Sequence, residues 1–464
     1  MSRKIKIIAT LGPASDSEQM ITKLAKAGVN VFRINFSHSN NERIAEYVKR
    51  VQRVREKLGL PISIMLDTRG PEVRVKTFKD GSVKLKKGST FAFVSEDVVG
   101  DDTQVSITQN ICIQEAKVGG IVYANDGQLK LVIKEKHPNK LILNVCTSGE
   151  LKDNKSLSFV NQFFNFEYLN KKDKENLETA LKLGVEYISA SFVNTKNDLD
   201  ALKEFVYQFD EDVKIISKIE NQTGLDNLDS ILENCYGVMV ARGDLGVETK
   251  FEKLPINQRK IINAAHKHSK ICIVATEMLE SMIHSIRPTR AEISDVAKAV
   301  FDGAGAVMLS GETAVGHDPV GCIKTMSKIV EAAEKEFDYH SRFENLIKNP
   351  TMSNELIVQS AVSASFYLNC KAIATYTSKG HNPLRLSSQF AKVPIIAITD
   401  SQKTFNCLGM MCNCVPVYSE KVEDIFKQAS NICLDKKIAK PNDLIIVTTG
   451  TTDKISNVLK FETV

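Results

Sequence analysis

Short apolar segments recur along the chain, and each is followed by a stretch with the hydrophobic period of an amphipathic helix. Near-continuous apolar runs of this kind are typical of parallel strands that are buried on both faces. Eight such βα units predict a TIM (β/α)8 barrel. A doubly wound open sheet is the alternative, but polar residues end nearly all of the segments, which favours one common barrel mouth. The segments are Ile5–Gly12, Val29–Ser37, Ile62–Thr68, Tyr187–Val193, Val213–Glu220, Val238–Asp244, Cys272–Met278 and Ala306–Thr313.

The spacing of these segments is interrupted once, between Thr68 and Tyr187. The gap is roughly a hundred residues longer than a βα unit of about 30 residues needs. Apolar and polar residues alternate there around a His137-Pro138-Asn139 turn, which is the pattern of a β-hairpin. We therefore expect an all-β domain inserted after the third strand, over the barrel mouth, where it would act as a mobile lid.

Beyond about Tyr339 a third pattern begins, in which a long helix leads into further short strands and one more helix. Its length of roughly 120 residues fits a separate α/β domain. The sequence thus predicts a barrel formed by residues 1–70 and 169–340, a lid domain at 71–168, and a C-terminal α/β domain at 341–464 that is a candidate effector domain.

The composition excludes several functional classes. The net charge is +5 on 464 residues and the lysines are scattered, which argues against a nucleic-acid surface. No apolar run approaches the roughly 20 residues that span a bilayer. Met1–Lys6 leads directly into a strand, so we expect no leader peptide. The ten cysteines are dispersed without a CxxC pair, which indicates reduced thiols in a cytoplasmic protein.

Charged residues follow two neighbouring segments at their carboxyl ends. Lys218 and Glu220 point the same way at the end of VKIISKIEN, and GVMVARGDLG ends on Arg242 and Asp244. Buried charges are costly unless they are paired or bind a metal. Two carboxylates one βα unit apart, with a lysine between them, predict a divalent-metal site that faces an anionic substrate, as in phosphate chemistry.

Other strand ends carry polar groups as well. Arg33, Asn35 and Ser37 share the inner face of their strand, and a merely structural role explains a strand-end arginine poorly. Asp67 and Arg69 end the next segment in the same way. Arg74, just beyond, is the fork-shaped donor suited to a phosphate.

Further motifs leave two interpretations open. Gly243 and Gly246 allow backbone amides to approach a ligand, although ordinary turn packing also explains them. Thr276, Ser310 and Glu312 are as consistent with helix caps as with ligands. Thr377-Ser378-Lys379-Gly380 is equally a small phosphate cradle or a capped turn. His266 and His268 are interpreted as exposed helix residues. No Gly-Lys dipeptide occurs, so no P-loop holds a nucleotide.

Taken together, these motifs closely resemble the pyruvate kinase family. The resemblance runs in family order through FRINFSH, LDTRGPEVR, ISKIEN, VMVARGDLG, ATEMLESM, RPTRAE and MLSGETA, and covers nearly the whole chain. It implies a TIM barrel with an inserted lid and a C-terminal α/β domain, which agrees with the prediction from the apolar pattern. It also implies transfer of the phosphoryl group of phosphoenolpyruvate to ADP, giving pyruvate and ATP, with Mg²⁺ (or Mn²⁺) and K⁺ as cofactors, in a homotetramer.

The resemblance also implies roles for individual residues. Lys218 and Arg33 would stabilise the transferring phosphoryl group, with Thr276 as a third catalytic residue. The implied substrate-binding set is Arg33, Lys218, Gly243, Asp244 and Thr276, with the Gly243 and Asp244 amides on the substrate carboxylate. The implied nucleotide contacts are Asn35, His38 and Arg74. The implied metal ligands are Glu220 and Asp244 for Mg²⁺, and Asn35, Ser37, Asp67 and Thr68 for K⁺.

The sequence departs from the family at several positions. Asn194-Thr195 replaces a common basic pair, which bears on one nucleotide contact. The loop at Thr377–Gly380 lacks the usual phosphate grip, so we expect a weak response, or none, to fructose 1,6-bisphosphate. Glu72 stands where other members have a lysine that replaces K⁺, which predicts a K⁺ requirement here.

Two rival functions are disfavoured. A metal-dependent lyase or aldolase acting on pyruvate-like acids would need neither the lid nor the Asn35, Ser37, Asp67 and Thr68 cluster. A non-catalytic regulatory homologue would not need the five active-site residues Arg33, Lys218, Glu220, Asp244 and Thr276, all of which are present.

Overall fold

The computed structural model describes residues 3–36, 41–346, 353–450 and 458–464, so Ser37 and His38 lie outside the described residues. The first part of the chain alternates strands and helices. Its elements are β1 (Lys6–Thr10), α1 (Glu18–Ala27), β2 (Val31–Asn35), α2 (Asn41–Leu58) and β3 (Ser63–Asp67).

The insertion after β3 is built mainly of strands. Its elements are β4 (Ser82–Leu85), β5 (Thr90–Val94), β6 (Gln104–Ser106), α3 (Ile111–Glu115), β7 (Ile121–Ala124), β8 (Leu129–His137), β9 (Lys140–Val145), β10 (Gly149–Lys152) and β11 (Leu157–Phe159). The predicted turn at His137-Pro138-Asn139 joins β8 to β9 and is confirmed. The short helix α3 departs from the all-β prediction.

The chain then returns to alternating strands and helices. The elements are α4 (Lys171–Lys182), β12 (Tyr187–Ala190), α5 (Lys196–Val206), β13 (Lys214–Ile219), α6 (Gln222–Asp226), α7 (Leu228–Glu233), β14 (Gly237–Ala241), α8 (Arg242–Glu248), α9 (Leu254–Lys267), β15 (Ile271–Ala275), α10 (Arg290–Asp302), β16 (Ala306–Leu309), α11 (Gly311–Ala314), α12 (Pro319–Lys335) and α13 (Tyr339–Glu344).

A second α/β unit completes the chain. It consists of α14 (Ser353–Tyr367), β17 (Ile373–Tyr376), α15 (His381–Ser388), β18 (Ile395–Thr399), α16 (Gln402–Cys407), β19 (Cys414–Tyr418), α17 (Ile425–Asp435), β20 (Leu444–Thr449) and β21 (Val458–Thr463). Its sheet has the order β19-β18-β17-β20-β21, in which only β21 runs antiparallel to its neighbour.

Eight parallel strands close into a barrel in the order β1-β16-β15-β14-β13-β12-β3-β2. The pairing of β1 with both β16 and β2 completes the ring, so the predicted TIM barrel is confirmed and the open sheet is excluded. All eight carboxyl ends therefore meet at one mouth. The insertion leaves the barrel after β3, at that mouth.

Side chains alternate across each barrel strand as predicted. On β2, Phe32 and Ile34 pack outward in the core shared with the helices, whereas Val31 belongs to the core inside the barrel. Arg33 lies on the same inner side as Val31. The alternation thus carries the polar strand-end residues to the inside of the mouth.

The C-terminal domain packs against the opposite end of the barrel. Leu408, Met410 and Met411 share the interior core with barrel residues such as Ile8 and Met65. The prediction that His266 is exposed is wrong, because its ring is buried between the Gly303 and Ser388 carbonyl oxygens. The sequence around α9 does not show that a second domain covers this face. In the described part of the chain, no helix is both long enough and apolar enough to cross a membrane.

Candidate active site

Arg33 and Asp67 form a buried ion pair at the mouth. The pairing of β2 with β3 places Asn35, at the end of β2, beside Asp67, at the end of β3. Arg33 Nε donates to Asp67 Oδ2 at 2.9 Å, and Nη1 donates to Thr10 Oγ1 at 3.0 Å. Burial alone would raise the pKa of Asp67, but Arg33 and Lys218 hold it below its ordinary value. Asp67 therefore stays ionised beside the cations.

Lys218 lies between two carboxylates. Its Nζ is 2.8 Å from Glu220 Oε1 and 3.5 Å from Asp67 Oδ1. Burial opposes the charge of the ammonium, but Asp67, Glu220 and Asp244 raise the pKa of Lys218 above its ordinary value. The mouth thus contains a permanent ammonium on the strand where the sequence predicts it.

Ser191, which no predicted site motif contains, gives Lys218 a third partner. Lys218 Nζ donates to Ser191 Oγ at 2.7 Å. Ser191 comes directly after β12, so the rule that drew attention to Arg33, a polar residue at a barrel-strand end, would have found it.

Glu220 and Asp244 come together as predicted, although neither lies in a strand. Glu220 follows β13 directly, and Asp244 lies in the first turn of α8. Their carboxyl groups lie close enough to interact with each other electrostatically. Desolvation by the surrounding protein raises the pKa of both groups, in spite of Lys218. Two such carboxyl groups repel each other unless a proton or a cation is shared between them.

Thr276 and Gly243 are in contact. Gly243 N donates to Thr276 Oγ1 at 2.9 Å. Thr276 and Glu277 have φ angles of 70° and 51°, a left-handed conformation that is costly for residues other than glycine. The Arg242 guanidinium donates to the carbonyl oxygens of both residues and to Asp295 Oδ2 at 2.6 Å. Arg242 therefore holds this strained turn in place.

Glu72 and Arg74 meet where the chain enters the lid. Arg74 Nε donates to Glu72 Oε2 at 2.8 Å, and Nη1 donates to the Asn154 carbonyl oxygen at 2.7 Å. A cavity of about 70 Å³ separates the lid from the barrel here, and Glu72, Asp244 and Glu248 contribute to its wall. Arg74 is thus beside the mouth but is engaged by the protein itself.

Several other candidates have structural partners. Glu312 accepts from the backbone amides of Leu279 and Ser310, at 3.0 and 2.7 Å, which favours the capping interpretation. Thr195 forms the N-cap of α5. Thr68 N donates to the Ser189 carbonyl oxygen at 2.9 Å, next to Asp67. Of the predicted potassium ligands Asn35, Ser37, Asp67 and Thr68, the structure describes all except Ser37.

The loop at Thr377–Gly380 lies far from the mouth, where the C-terminal domain meets the barrel. Thr377 Oγ1 accepts from Gly380 N at 2.8 Å, and Gly380 precedes α15 with φ 86°. Lys379 Nζ forms an ion pair with Asp212 Oδ1 at 2.9 Å. These contacts are those of a capped turn.

A closed parallel barrel whose mouth gathers buried cations and paired carboxylates under a lid is typical of an enzyme that acts on anionic substrates. Comparison with known proteins identifies the kind of enzyme. The family model described as pyruvate kinase, barrel domain, matches residues 2–323, and the model described as pyruvate kinase, alpha/beta domain, matches residues 355–460. The chain belongs to the pyruvate kinase family.

Individual relatives agree over the whole length. A pyruvate kinase of Clostridium acetobutylicum is 36% identical and covers 100% of both chains. One of Bacillus licheniformis is 36% identical over 97% of this chain and 78% of its own. A crystal structure of a pyruvate kinase from Cryptosporidium parvum superposes with a TM-score of 0.95 at 30% identity, covering 99% of this chain and 96% of that one.

The chain is therefore a phosphotransferase that catalyses the pyruvate kinase reaction, in which the phosphoryl group of phosphoenolpyruvate passes to ADP in the last step of glycolysis. This confirms the function implied by the motifs. The alternative of a metal-dependent lyase or aldolase is unsupported.

Proposed function

We propose that Glu220 and Asp244 hold the divalent cation, Mg²⁺ or Mn²⁺, at the mouth. The support is their position at the mouth, where two desolvated carboxyl groups that interact electrostatically suit a cation between them. Magnesium takes one or two protein carboxylates and fills its remaining positions with water and phosphate oxygens. When bound, the metal would supply charge neutralisation at the phosphoryl group.

Lys218 and Arg33 are proposed to act on the transferring phosphoryl group. Arg33 lies on β2 and is buried, Lys218 lies on β13 and is largely buried, and the raised pKa of Lys218 keeps it charged. Phosphoryl transfer needs positioning and charge stabilisation more than covalent chemistry from the protein. Lys218 would stabilise the charge that develops on the phosphoryl and enolate oxygens, and Arg33 would orient the phosphate.

The substrate carboxylate and the nucleotide are assigned to opposite sides of Lys218 and Arg33. Thr276 Oγ1, with the amides of Gly243 and Asp244, would hold the carboxylate. The Gly243 amide already points at Thr276 Oγ1, so the hydroxyl and the amide form one polar patch. On the lid side, Arg74 would contact the nucleotide together with Asn35 and His38, after exchanging its Glu72 contact for phosphate oxygens.

We also propose that K⁺ binds beside Asp67, at Asn35, Ser37 and Thr68. Asp67 Oδ2 is engaged by Arg33, whereas Oδ1 faces Lys218 only at 3.5 Å. An ionised carboxylate with neighbouring amide, hydroxyl and carbonyl oxygens suits a hard monovalent cation. Glu72 is paired with Arg74 and offers no ammonium in place of the cation.

Assembly as a homotetramer in the cytoplasm is part of the same proposal. Large apolar side chains are exposed on and beside the adjacent helices α9 and α10, including Phe251 at 82% and Ile286 at 91%. Exposed apolar residues grouped in this way are typical of an interface between copies. The ten free cysteines suit a reducing compartment. Light scattering of the purified chain would test the tetramer.

The position of Lys218 between Asp67 and Glu220 is the observation that carries this proposal. Lys218→Met should lower turnover by roughly a hundredfold or more in an assay of ADP-dependent pyruvate release, because its charge matters most in the transition state. Phosphoenolpyruvate should still bind. Lys214→Met, at the other end of β13, is the matched control and should keep normal turnover. A change in KM alone for Lys218→Met would contradict the assigned role.

A further inference from the structure

Ser191 is buried at the centre of the mouth, with 2% of its surface exposed. Its hydroxyl donates to the Thr68 carbonyl oxygen at 2.7 Å and accepts from Lys218 Nζ at 2.7 Å. Its backbone amide donates to Thr68 Oγ1 at 3.1 Å. Because the hydroxyl has a single proton, the bond to Thr68 leaves its lone pairs facing the ammonium. The three groups form one directed chain of hydrogen bonds from Lys218 through Ser191 to Thr68.

The three partners of Lys218 differ in charge. Glu220 and Asp67 are carboxylates that attract the ammonium and reduce the charge it offers to a substrate. The Ser191 hydroxyl is neutral, so it fixes the direction of the ammonium without cancelling its charge. Without this hydroxyl, the nearest remaining partners would draw Lys218 towards the carboxylates.

The backbone of Ser191 is itself held by both segments that connect the barrel to the lid. The Tyr168 hydroxyl, where the chain returns from the lid, donates to the Ser191 carbonyl oxygen at 2.8 Å. Gly70, where the chain leaves for the lid, packs so closely that an added Cβ would lie 2.8 Å from the same oxygen. The next residue, Phe192, has φ 54° and donates its amide to Glu220 Oε2 at 2.5 Å. Ser191 is thus held rigidly beside the group that it orients.

We propose that Ser191 is a positioning residue for the phosphoryl-transfer step, which acts by fixing the direction of the Lys218 ammonium between Asp67 and Glu220. This inference rests on the function proposed for Lys218. It predicts that loss of the hydroxyl lowers turnover while substrate binding is preserved, and that the whole effect depends on Lys218.

The first test is Ser191→Ala in the full chain. Turnover should fall by about ten- to a hundredfold, the range for one hydrogen bond to a charged group. The dissociation constant of phosphoenolpyruvate, measured by equilibrium dialysis, should change by less than about threefold, because the lost contact acts mainly in the transition state. Ser217→Ala is the matched control. It removes a buried hydroxyl from β13, at the residue that pairs with Ala190, and should leave turnover unchanged. Normal turnover of Ser191→Ala would overturn the proposal.

The decisive test is the double variant Ser191→Ala/Lys218→Met. If Ser191 acts through Lys218, the double variant should be no slower than Lys218→Met alone. An equal loss in both backgrounds would overturn the proposal in favour of a general structural role. If Lys218→Met itself kept normal turnover, the proposed function of Lys218 would fail, and the role of Ser191 with it.

Stability is measured in parallel by thermal unfolding. If Ser191→Ala does not fold, Ser191→Cys keeps the side-chain volume but replaces the hydroxyl with a weak acceptor, and it should show the same loss of turnover. Full turnover of a folded Ser191→Cys variant would contradict the inference.

Discussion

The two ends of the barrel differ in how their buried polar side chains are partnered. At the end covered by the C-terminal domain, two buried side chains each donate to one backbone carbonyl oxygen of that domain. Lys6 Nζ donates to the Cys414 carbonyl oxygen at 3.0 Å, and the Tyr187 hydroxyl donates to that of Cys407 at 2.7 Å. At the mouth, Lys218 interacts with two carboxylates and a hydroxyl, and the Glu220 and Asp244 carboxyl groups interact with each other.

The difference extends to the charges. At the covered end Glu186 has Arg55 at 2.7 Å and the Ile64 amide at 2.8 Å, so both of its oxygens are satisfied. Lys403 pairs with Asp210 across the domain boundary. A barrel end whose carboxylates are paired contributes stability, whereas an end where several charges compete for the same partners can exchange those partners for a substrate. The covered end therefore holds the barrel together, and the mouth carries its chemistry.

The largest effect on turnover is expected from a substitution of Glu220 at the mouth. Glu220→Gln should lower turnover by roughly a thousandfold, because a bound metal contributes several kcal/mol to transition-state stabilisation. Thermal stability should be kept, since the relief of repulsion with Asp244 offsets the lost ion pair with Lys218, which keeps Asp67 as a partner. Steady-state kinetics against Mg²⁺ concentration, together with a melting curve, measure both. Near-normal turnover in the folded variant would contradict the metal assignment.

Glu186→Gln is the counterpart at the covered end and reverses the outcome. Removing the charge leaves Arg55, which is largely buried, without its ion pair, and such losses cost about 3–5 kcal/mol. The free energy of unfolding should fall accordingly, while turnover per folded molecule stays normal. If both glutamate variants lost activity alike, the division between the two ends would not hold.

Removing K⁺ should have the next largest effect. Exchange into tetramethylammonium buffer free of K⁺ and Na⁺ should reduce turnover by roughly a hundredfold, the scale of losing one electrostatic contact in such a site. Added K⁺ should restore it. Glu72→Lys should move the enzyme towards K⁺ independence with a reduced maximal rate, because the new ammonium replaces the cation. Full activity without K⁺ would refute the potassium proposal.

The apolar pattern of the sequence was enough to predict the barrel, the lid insertion and the C-terminal domain. It was less accurate at strand ends: the predicted strand Val238–Asp244 ends at Ala241, where α8 begins, and Tyr187–Val193 ends at Ala190. Hydrophobic periodicity reports which residues are buried, but it does not report where the backbone turns. Phe192, two residues beyond the end of β12, has a left-handed conformation and is one such turn.

Contacts between distant segments could not be predicted from the sequence. Nothing local shows that Ser191 meets both Thr68 and Lys218, or that Arg242 supports the turn at Thr276. The burial of His266 depends on the C-terminal domain, some 120 residues further along the chain. Motifs supplied the residues of the site, whereas their partners depend on how the barrel and the C-terminal domain are assembled.

A smaller effect, on stability alone, is expected where the C-terminal domain closes the barrel. Gly409 packs so tightly that an added Cβ would overlap the carbonyl oxygen of Pro61. Gly409→Ala should lower the free energy of unfolding by about 1–3 kcal/mol, the usual cost of overpacking. Denaturant unfolding measures the loss, and turnover of the remaining folded enzyme should be unchanged. A variant with lowered turnover but unchanged stability would show that the covered end is coupled to the mouth.

The smallest effect is expected from fructose 1,6-bisphosphate. Lys379, the cation of the loop at Thr377–Gly380, is already paired with Asp212 of the barrel, and Thr377 caps the Gly380 amide. Binding a phosphate here would require breaking contacts that join the two domains. At the mouth, by contrast, binding a substrate would replace contacts between competing side chains. The phosphoenolpyruvate saturation curve should therefore shift weakly or not at all when the bisphosphate is added. Asp212→Asn, which releases Lys379, is the informative variant: if the loop is only a capped turn, this variant too should show no shift. A clear shift in the unmodified chain would show that the covered end can exchange partners after all, and the contrast between the two ends would have to be abandoned.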